Sequence, residues 1–218
     1  TVVGGMEHAG PLGHCFDYYN DKDRFGQDTW EKAESEMQRM AFATAMGKAG
    51  VKASDVDLLF AGDIMQHETQ LNMARQKNGE YSFSYCFRHI SPLVKAADIS
   101  VANLETTIGK SGYSGYPSFC APDSLLYAIK DAGFKVLLFA NNHCMDKGKR
   151  GATHTLDMLD SLQFAHCGVY RNIKEREERY NTVKAIIDNE LTGLQRTIVE
   201  LKEIEGLEIE EIARRQNM

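Results

Sequence analysis

Short apolar runs that alternate with helical stretches are the feature of this sequence that most constrains its fold. Leu58–Ala61, Ile99–Ala102 and Val136–Ala140 are predicted strands, with a weaker one at Phe164–Gly168, and helical patterns lie between them near Ser84–Ala97, Asp123–Ala132 and Lys149–Leu162. The apolar runs lack the alternation of a half-solvated strand, so both faces of the sheet are expected to be covered. Strands joined through helices need crossover connections. The pattern therefore predicts an α/β fold with a mainly parallel sheet, in which the first three strands are neighbours.

The segments on either side of this region differ in character. The first residues, up to Gly13, are rich in glycine and are predicted to form a loop. An amphipathic helix follows, for which Asp28 and Glu31 form a capping box and which ends at Gly50. From residue 174 to residue 216 the pattern is helical, with breaks at Thr192-Gly193 and at Gly206. We therefore predict three parts: an N-terminal extension (1–57), an α/β domain (58–173) and a C-terminal helical segment (174–218).

Charge and hydropathy exclude two classes of partner. The 218 residues include 25 basic and 31 acidic side chains, which gives a formal net charge of −6. The segment from Arg171 onward, with 9 basic and 11 acidic residues, has no basic excess either. The total charge therefore shows no electrostatic footprint for nucleic acid, and a polyanion partner would need a local basic patch. No run approaches the roughly 18 consecutive apolar residues of a spanning helix, so no membrane segment is predicted.

The number and spacing of the cysteines indicate the redox state of the compartment. The five cysteines are odd in number and include no C-x-x-C pair, which predicts reduced packing thiols and neither a disulfide framework nor a thiolate zinc site. Reduced thiols favour a cytoplasmic location, and an extracytoplasmic one stays open if an N-terminal anchor was lost. The sequence starts at Thr1 and stops at Met218 just after a helical pattern begins, so we expect a piece of a longer protein.

Polar side chains follow each of the first three predicted strands. Asp63 follows the first strand in the string GDIM, Glu105 follows the second in NLE, and Asn142 and His143 follow the third in ANNH. Ligands of open parallel sheets bind at the carboxyl ends of the strands, so we expect these four side chains to form one site. Carboxylate, amide and imidazole groups together suit a divalent metal such as Mn, Fe, Zn or Mg and do not suit copper.

Each of these positions also has an ordinary structural interpretation. Asp63 could cap the next helix, Asn103 could hold a turn, and His143 could be a loop histidine. Their occurrence as a set at equivalent strand ends favours the functional interpretation.

One stretch of the chain carries the motifs GD, NLE and NNH in this order. They lie within the strings GDIMQHETQL, ADISVANLETTI and GYSGYPSFCAPDSLLYAIKDAGFKVLLFANNHCMDKG, which are followed by TLDMLDSLQFAHCGVYR. This stretch, from about residue 58 to residue 171, resembles the CapA family of poly-γ-glutamate or capsule synthesis proteins, part of the calcineurin-like metallophosphoesterase superfamily. The resemblance implies a partial metallophosphoesterase-like αββα sandwich with a mainly parallel sheet and a metal centre.

The resemblance also implies a role for each motif residue. Asp63 would be the aspartate ligand of the first motif, Glu105 would take the place of the acid between the metals, and Asn142 would be the asparagine ligand of the third motif. His143 would be the catalytic residue that faces the leaving group or the phosphoryl oxygens. The neighbouring residues predicted to orient these ligands are His67, Asn103, Asn141 and Asp146.

The sequence departs from the family where further metal ligands are expected. No histidine follows His166, and both His154 and His166 lie within or just after a helical pattern, which is the wrong context for a ligand. A site with half of its ligands binds metal weakly or holds a single ion. We therefore expect a weakly bound divalent metal (Mn, Fe or Zn) and incomplete catalysis by this chain alone.

Two further segments resemble other families. Residues 2 to about 63, with GPLGHCFDYYNDKDRFGQDTWEKAESEMQRMA and KASDVDLLFAGD, resemble the N-terminus of the stage V sporulation protein AD family, which has a thiolase-like fold. Residues 181–218, with LTGLQRTIVELKEIEGLEIEEIARRQNM, weakly resemble the start of a sigma-factor-type helix-turn-helix. The sequence thus reads as a chimera of three family-like segments, either a natural fusion or a recombined, mispredicted or artificial sequence.

Three functions stay open from the sequence. The leading one is a CapA-type metallophosphoesterase-like domain linked to capsule or poly-γ-glutamate synthesis and export. The second is a non-catalytic sporulation-related or interaction protein, which the missing histidines favour. The third, with the least support, is a transcription-factor fragment. The substrate, small molecule or polymer, is left undetermined, and either a homo-oligomer or a missing second half could complete the site.

Overall fold

The computed structural model describes residues 2–11, 13–193, 196 and 214. Its strands are β1 (Val2–Gly4), β2 (Tyr18–Asn20), β3 (Leu58–Ile64), β4 (Ile99–Leu104), β5 (Thr107–Gly109), β6 (Cys120–Pro122), β7 (Val136–Leu138) and β8 (Ala165–Cys167). Its α-helices are α1 (Gly5–His8), α2 (Trp30–Ala49), α3 (Glu68–Ala74), α4 (Ser84–Phe87), α5 (Ser91–Ala96), α6 (Ser124–Ala132), α7 (Gly148–Ser161) and α8 (Ile173–Glu190). Across these residues, no helix is long and apolar enough to cross a bilayer.

The central element is a four-stranded parallel sheet in the order β3-β4-β7-β8. This confirms the α/β fold and the prediction that the first three apolar runs are neighbouring strands. Two smaller parallel pairs, β1 with β2 and β5 with β6, lie outside this sheet. The fold is consistent with a metallophosphoesterase-like sandwich, of which the described residues contribute one four-stranded sheet.

Both faces of this sheet are covered at its inner strands β4 and β7, as the uninterrupted apolar runs predict, whereas Phe60 on edge strand β3 is 53% exposed. One face, with Leu59, Ala102 and Leu137, packs into the main core together with buried residues of α5, α6 and α7. The opposite face is built from Ile99, Val101 and Val136, and three partly buried apolar residues of α8 pack on it. Helix α8 therefore belongs to the α/β layer structure even though most of its surface is polar.

The N-terminal segment differs from the prediction in two ways. The first residues are not all loop, because β1 and β2 pair in parallel, and such pairing between distant residues leaves no local periodicity. The N-cap of α2 is Thr29, whose hydroxyl accepts a hydrogen bond from the Lys32 backbone N–H at 3.3 Å. Asp28 instead pairs with the Lys32 ammonium at 2.9 Å. The capping box of Asp28 and Glu31 was therefore wrong, since Thr29 has the extended backbone that an N-cap needs.

The helix predicted over Ser84–Ala97 is two short helices, α4 and α5. Pro92 lies in the first turn of α5. Proline has no backbone N–H and is tolerated in the first turn of a helix but not in its interior. The chain therefore ends one helix at Phe87 and starts a second one before the proline.

The C-terminal helical prediction is confirmed for α8, which ends at Glu190, close to the predicted break at Thr192 and Gly193. The resemblance to a sigma-factor helix-turn-helix depends mainly on residues that lie outside the described ones.

A partly buried ionic network joins α8 to α7 and β8. His166, only 1% exposed, contacts Asp160 Oδ1 through Nε2 at 2.9 Å. Asp160 also pairs with Arg171 at 3.2 Å and with Arg179. Burial lowers the pKa of His166 below its usual value, and the hydrogen bond with Asp160 offsets this only in part. The imidazole is therefore neutral in the folded protein at neutral pH.

We expect the free energy of unfolding to decrease as the pH falls below about 6.5, the usual pKa of an unfolded histidine. A histidine whose folded pKa is lowered stabilises the fold fully above its unfolded pKa and loses that contribution as the pH falls toward the folded pKa. Urea unfolding at about pH 7 and about pH 5 measures the difference in the free energy of unfolding between the two pH values. His166→Gln should reduce this difference. The control is His154→Gln, since His154 contacts Asp123 at 3.0 Å and is more exposed. Equal pH dependence in both variants would contradict the assignment to His166.

Candidate functional site

An irregularity in β3 presents Asp63 at the end of the strand. The register of β3 with β4 shifts between Phe60 and Asp63, after which Asp63 pairs with Asn103. Gly62 has a φ of +68°, a left-handed conformation that glycine adopts without strain. Such a bulge redirects the side chain that follows it. Asp63 is consequently exposed beside the end of β4.

A chain of hydrogen bonds ties the ends of three strands together. The Asn103 amide donates to Asp63 Oδ1 at 2.8 Å. The Asn141 amide donates to Asn103 Oδ1 at 3.1 Å and to the backbone carbonyl of Leu104 at 2.8 Å. Asn141 Oδ1 in turn accepts from the His143 backbone N–H at 3.0 Å. The two asparagines therefore fix the positions of Asp63 and His143 relative to each other.

The imidazole of His143 is held on three sides. Its Nδ1 lies 2.8 Å from Asp146 Oδ2, which also accepts from the Phe119 backbone N–H at 2.6 Å. The Phe119 ring meets the imidazole edge-on, with ring centroids 4.6 Å apart. Because an ionised carboxylate only accepts hydrogen bonds, Asp146 assigns the proton to Nδ1. This leaves Nε2 facing Glu105, whose Oε1 is 4.0 Å away.

The two acidic residues of the site lie close together. Glu105 is anchored by its backbone N–H, which donates to the Ile64 carbonyl at 2.9 Å, and its side chain is 13% exposed. Burial, a hydrogen bond with Asp63 and the charge of Asp63 raise the pKa of Glu105, against the opposite influence of His143. Two carboxylates in hydrogen-bond contact repel each other when both are ionised.

The structure brings together most of the predicted site, namely Asp63, Glu105, His143, Asn103, Asn141 and Asp146. Asn142 lies exposed in the loop between Asn141 and His143, and its role as a ligand stays a prediction. His67 is the N-cap of α3, and its ring lies edge-on to Phe119 at 5.4 Å. His154 and His166 contact Asp123 and Asp160 instead.

Sequence reasoning missed Phe119, which contacts both His67 and His143 and whose backbone N–H bonds Asp146. It lies just before β6, which carries no motif. Within the part of the chain that the structure describes, no group of three or more His, Cys, Asp and Glu side chains is arranged to hold a metal ion.

A family model described as bacterial capsule synthesis protein PGA_cap matches residues 57–188. The chain belongs to this family. The match includes the whole central sheet, the residues at its strand ends and most of α8. It therefore extends beyond residue 171, where the motifs recognised in the sequence end.

The chain is 27% identical to the capsule biosynthesis protein CapA of Bacillus anthracis over 144 residues, which are 63% of this chain and 32% of that protein. It is 36% identical to stage V sporulation protein AD of Bacillus subtilis over 72 residues, 33% of this chain and 21% of that protein. An uncharacterized protein of Sinorhizobium fredii is 32% identical over 92 residues. The chain thus spans about a third or less of the length of these relatives.

The sporulation similarity reaches further along the chain than its N-terminal motifs suggest. A family model for stage V sporulation protein AD matches residues 1–106, which overlaps the capsule-family match from residue 57 onward. The overlap contains β3 and β4 with Asp63 and Glu105. The two similarities therefore overlap across this pair of strands.

Proposed function

We propose that this chain is a capsule-synthesis domain of the metallophosphoesterase-like type, linked to capsule or poly-γ-glutamate synthesis and export. It holds one divalent cation at the ends of β3 and β4 and has little phosphoesterase turnover by itself. The observation that carries the proposal is the convergence of Asp63, Glu105 and His143 from three neighbouring strand ends. The name of the capsule biosynthesis relative supports the biological setting.

The carboxylates of Asp63 and Glu105 would hold the cation, with the Asn142 amide as a further oxygen ligand. Their fit to a cation rests on the donor set itself, because the two carboxylates are in hydrogen-bond contact and repel each other when both are ionised. Carboxylate and amide oxygens suit Mn or Mg, and a nearby imidazole extends the range to Fe or Zn. A bound divalent cation supplies Lewis acidity and lowers the pKa of a water molecule that it coordinates.

His143 would hold or move a proton at Nε2. The contact with Asp146 keeps the other nitrogen protonated and fixes the ring orientation, as carboxylates commonly do for histidines in active sites. Phe119 shields one edge of the ring from water. The chain would therefore orient a phosphoryl group between the carboxylates and the imidazole. Nε2, which carries no proton in the neutral ring, would first take one up from solvent and then donate it to the leaving oxygen.

The same residues account for the low turnover. Hydrolysis through two metal ions requires both ions to be held about 3.5–4 Å apart, each by several protein ligands. The described residues offer the paired carboxylates of Asp63 and Glu105, and among them no group of three or more His, Cys, Asp and Glu side chains is arranged to hold a metal ion. That number of ligands suits one ion.

Adding Mn²⁺ is expected to stabilise the folded protein by about 2.7 kcal/mol when the free ion is at a hundred times its Kd, because it binds the folded state selectively. For a chain of this size that is a rise of roughly 5–10 °C in Tm. Differential scanning calorimetry with Mn²⁺ and with chelator measures the shift. Asp63→Asn should abolish it, since the amide has lost the charge that attracts the ion.

The matched control is Asp131→Asn, at an exposed position of α6, which should keep the full increment. Equal melting temperatures with metal and with chelator, or an increment that survives Asp63→Asn, would contradict the metal site. A phosphomonoester and phosphodiester assay with Mn²⁺ completes the test. Robust turnover that is lost in His143→Ala would show that other subunits or segments supply the missing ligands.

The second candidate is a non-catalytic sporulation-related or interaction protein. It is supported by the match of residues 1–106 to the stage V sporulation protein AD family. This function predicts an intact fold that gains no stability from divalent metal. The calorimetric experiment with chelator therefore separates the two candidates.

A further inference from the structure

A cavity of about 780 Å³ lies beside β5, β6 and the first turns of α7. Its volume is in the range of small-molecule binding sites. The residues proposed to hold metal do not line it. Its lining includes four cationic side chains: Lys110, Lys147, Lys149 and Arg150.

Most of this positive charge has no counter-charge. Within the described part of the chain, the side chains of Lys110, Lys149 and Arg150 have no hydrogen-bond or ion-pair partner. The acidic side chain in the lining, Asp157, pairs with Arg171 at 2.6 Å. The cavity is therefore a local concentration of positive charge in a chain whose formal net charge is −6.

The start of α7 adds to the same electrostatic field. No side chain caps this helix, and its first turn contains no acidic residue. The Gly148 N–H donates to the Met145 carbonyl at 2.7 Å. The next N–H groups of the first turn and the helix dipole both favour an anion. Burial raises the pKa of the Cys120 thiol, so this side of the cavity carries no thiolate that would repel one.

The cavity and the strand-end site share a wall. Phe119 packs against His143, whereas the next residue, Cys120, lines the cavity, because successive side chains of an extended segment point to opposite sides. Likewise Asp146 bonds the imidazole, and the adjacent Lys147 lines the cavity with its ammonium 3.0 Å from Ser114 Oγ. A ligand in the cavity would thus lie directly behind the residues that hold His143.

We propose that this cavity binds a ligand with two or more anionic oxygen groups, carboxylate or phosphate. Several cations spread over two elements match several negative charges better than one small ion. The proposal does not depend on the metal site, because the cations on the cavity wall attract the ligand without a metal.

The test is isothermal titration calorimetry of the full chain in chelator. The probes are a tetraglutamate peptide for carboxylates and tripolyphosphate for phosphates, with tetraglutamine as the neutral control. We expect saturable binding of at least one anion, weakened when the salt is raised to about 0.5 M, and no binding of tetraglutamine. Comparison of the two anionic probes distinguishes a ligand that carries carboxylates from one that carries phosphates.

K149Q/R150Q should weaken the binding by about tenfold or more, because both unpaired cations at the start of α7 are lost. K174Q/R176Q is the matched control, since it removes two exposed cations from the first turn of α8 and should change the affinity less than about twofold. Asp63→Asn should leave the affinity unchanged, which separates this site from the metal site. No saturable binding, an unchanged affinity in K149Q/R150Q, or equal losses in both pairs would overturn the proposal.

Discussion

Replacing Phe139 with alanine is expected to lower the free energy of unfolding by about 3–5 kcal/mol, the usual cost of truncating a buried phenylalanine. Phe139 directly follows β7, is fully buried in the main core, and donates its backbone N–H to the Cys167 carbonyl at 2.9 Å. The truncation leaves a cavity in the main core, beneath the loop that carries Asn141 and His143. Urea unfolding followed by circular dichroism measures the loss.

Phe60→Ala is the matched control, because it makes the same chemical change on edge strand β3 at a side chain that is 53% exposed. We expect a loss of about 1 kcal/mol or less there, since little packed volume is removed. Similar losses at the two positions would mean that the core around Phe139 collapses onto the smaller side chain.

Gly168→Ala is expected to destabilise the fold by about 3 kcal/mol or more, because it combines backbone strain with a steric clash. Gly168 follows β8 with a φ of +114°, and a Cβ there would lie 2.5 Å from the backbone nitrogen of Ala140 and 2.6 Å from its Cβ. Neither atom belongs to a flexible side chain that could move away. The carboxyl ends of strands β7 and β8 would have to move apart.

Gly148→Ala separates the two contributions. Gly148 also has a left-handed φ, +59°, but a Cβ there meets nothing within 4 Å. We expect only the conformational cost of about 1–2 kcal/mol at this position. Unfolding midpoints of the two variants, measured in the same denaturant, give the comparison. Equal losses would show that the backbone at Ala140 moves aside at little cost.

Both substitutions with large expected effects, Phe139→Ala and Gly168→Ala, disturb the segment that leads into the candidate site. Phe139 and Ala140 immediately precede Asn141. The side-chain amide of Asn141 forms hydrogen bonds with the end of β4 and with the backbone N–H of His143. A shift of this loop changes the separation of 4.0 Å between His143 and Glu105. Packing beneath the loop therefore determines whether the three strand ends converge.

The sequence predicted the central sheet because its inner strands β4 and β7 are buried on both faces. Such strands are uninterrupted apolar runs, and their order along the chain equals their order in the sheet from β3 to β8. The pairs β1–β2 and β5–β6 were not predicted, because their short strands do not lie in uninterrupted apolar runs that would mark them in the sequence. Pro92, by contrast, is a local signal that could have divided the helix over 84–97.

Much of the candidate site could also be predicted from the sequence. Asp63, Glu105 and His143 each follow an apolar strand, and parallel strands bring their carboxyl ends to one edge. The partners that orient them were less accessible. Phe119 reaches His143 from a distant part of the chain, and no spacing in the sequence indicates that contact.

The sequence by itself determined which residues are buried as strands and which polar groups stand at the strand ends, because both are encoded within a few neighbouring positions. Only the tertiary structure decided what covers the second face of the sheet, where apolar residues of α8 pack on Ile99, Val101 and Val136. It also decided that the cations near the start of α7 share one cavity with Lys110 of the loop after β5. Local patterns specify that a surface must be buried or that a charge is present, but the partner across space depends on how the whole chain packs.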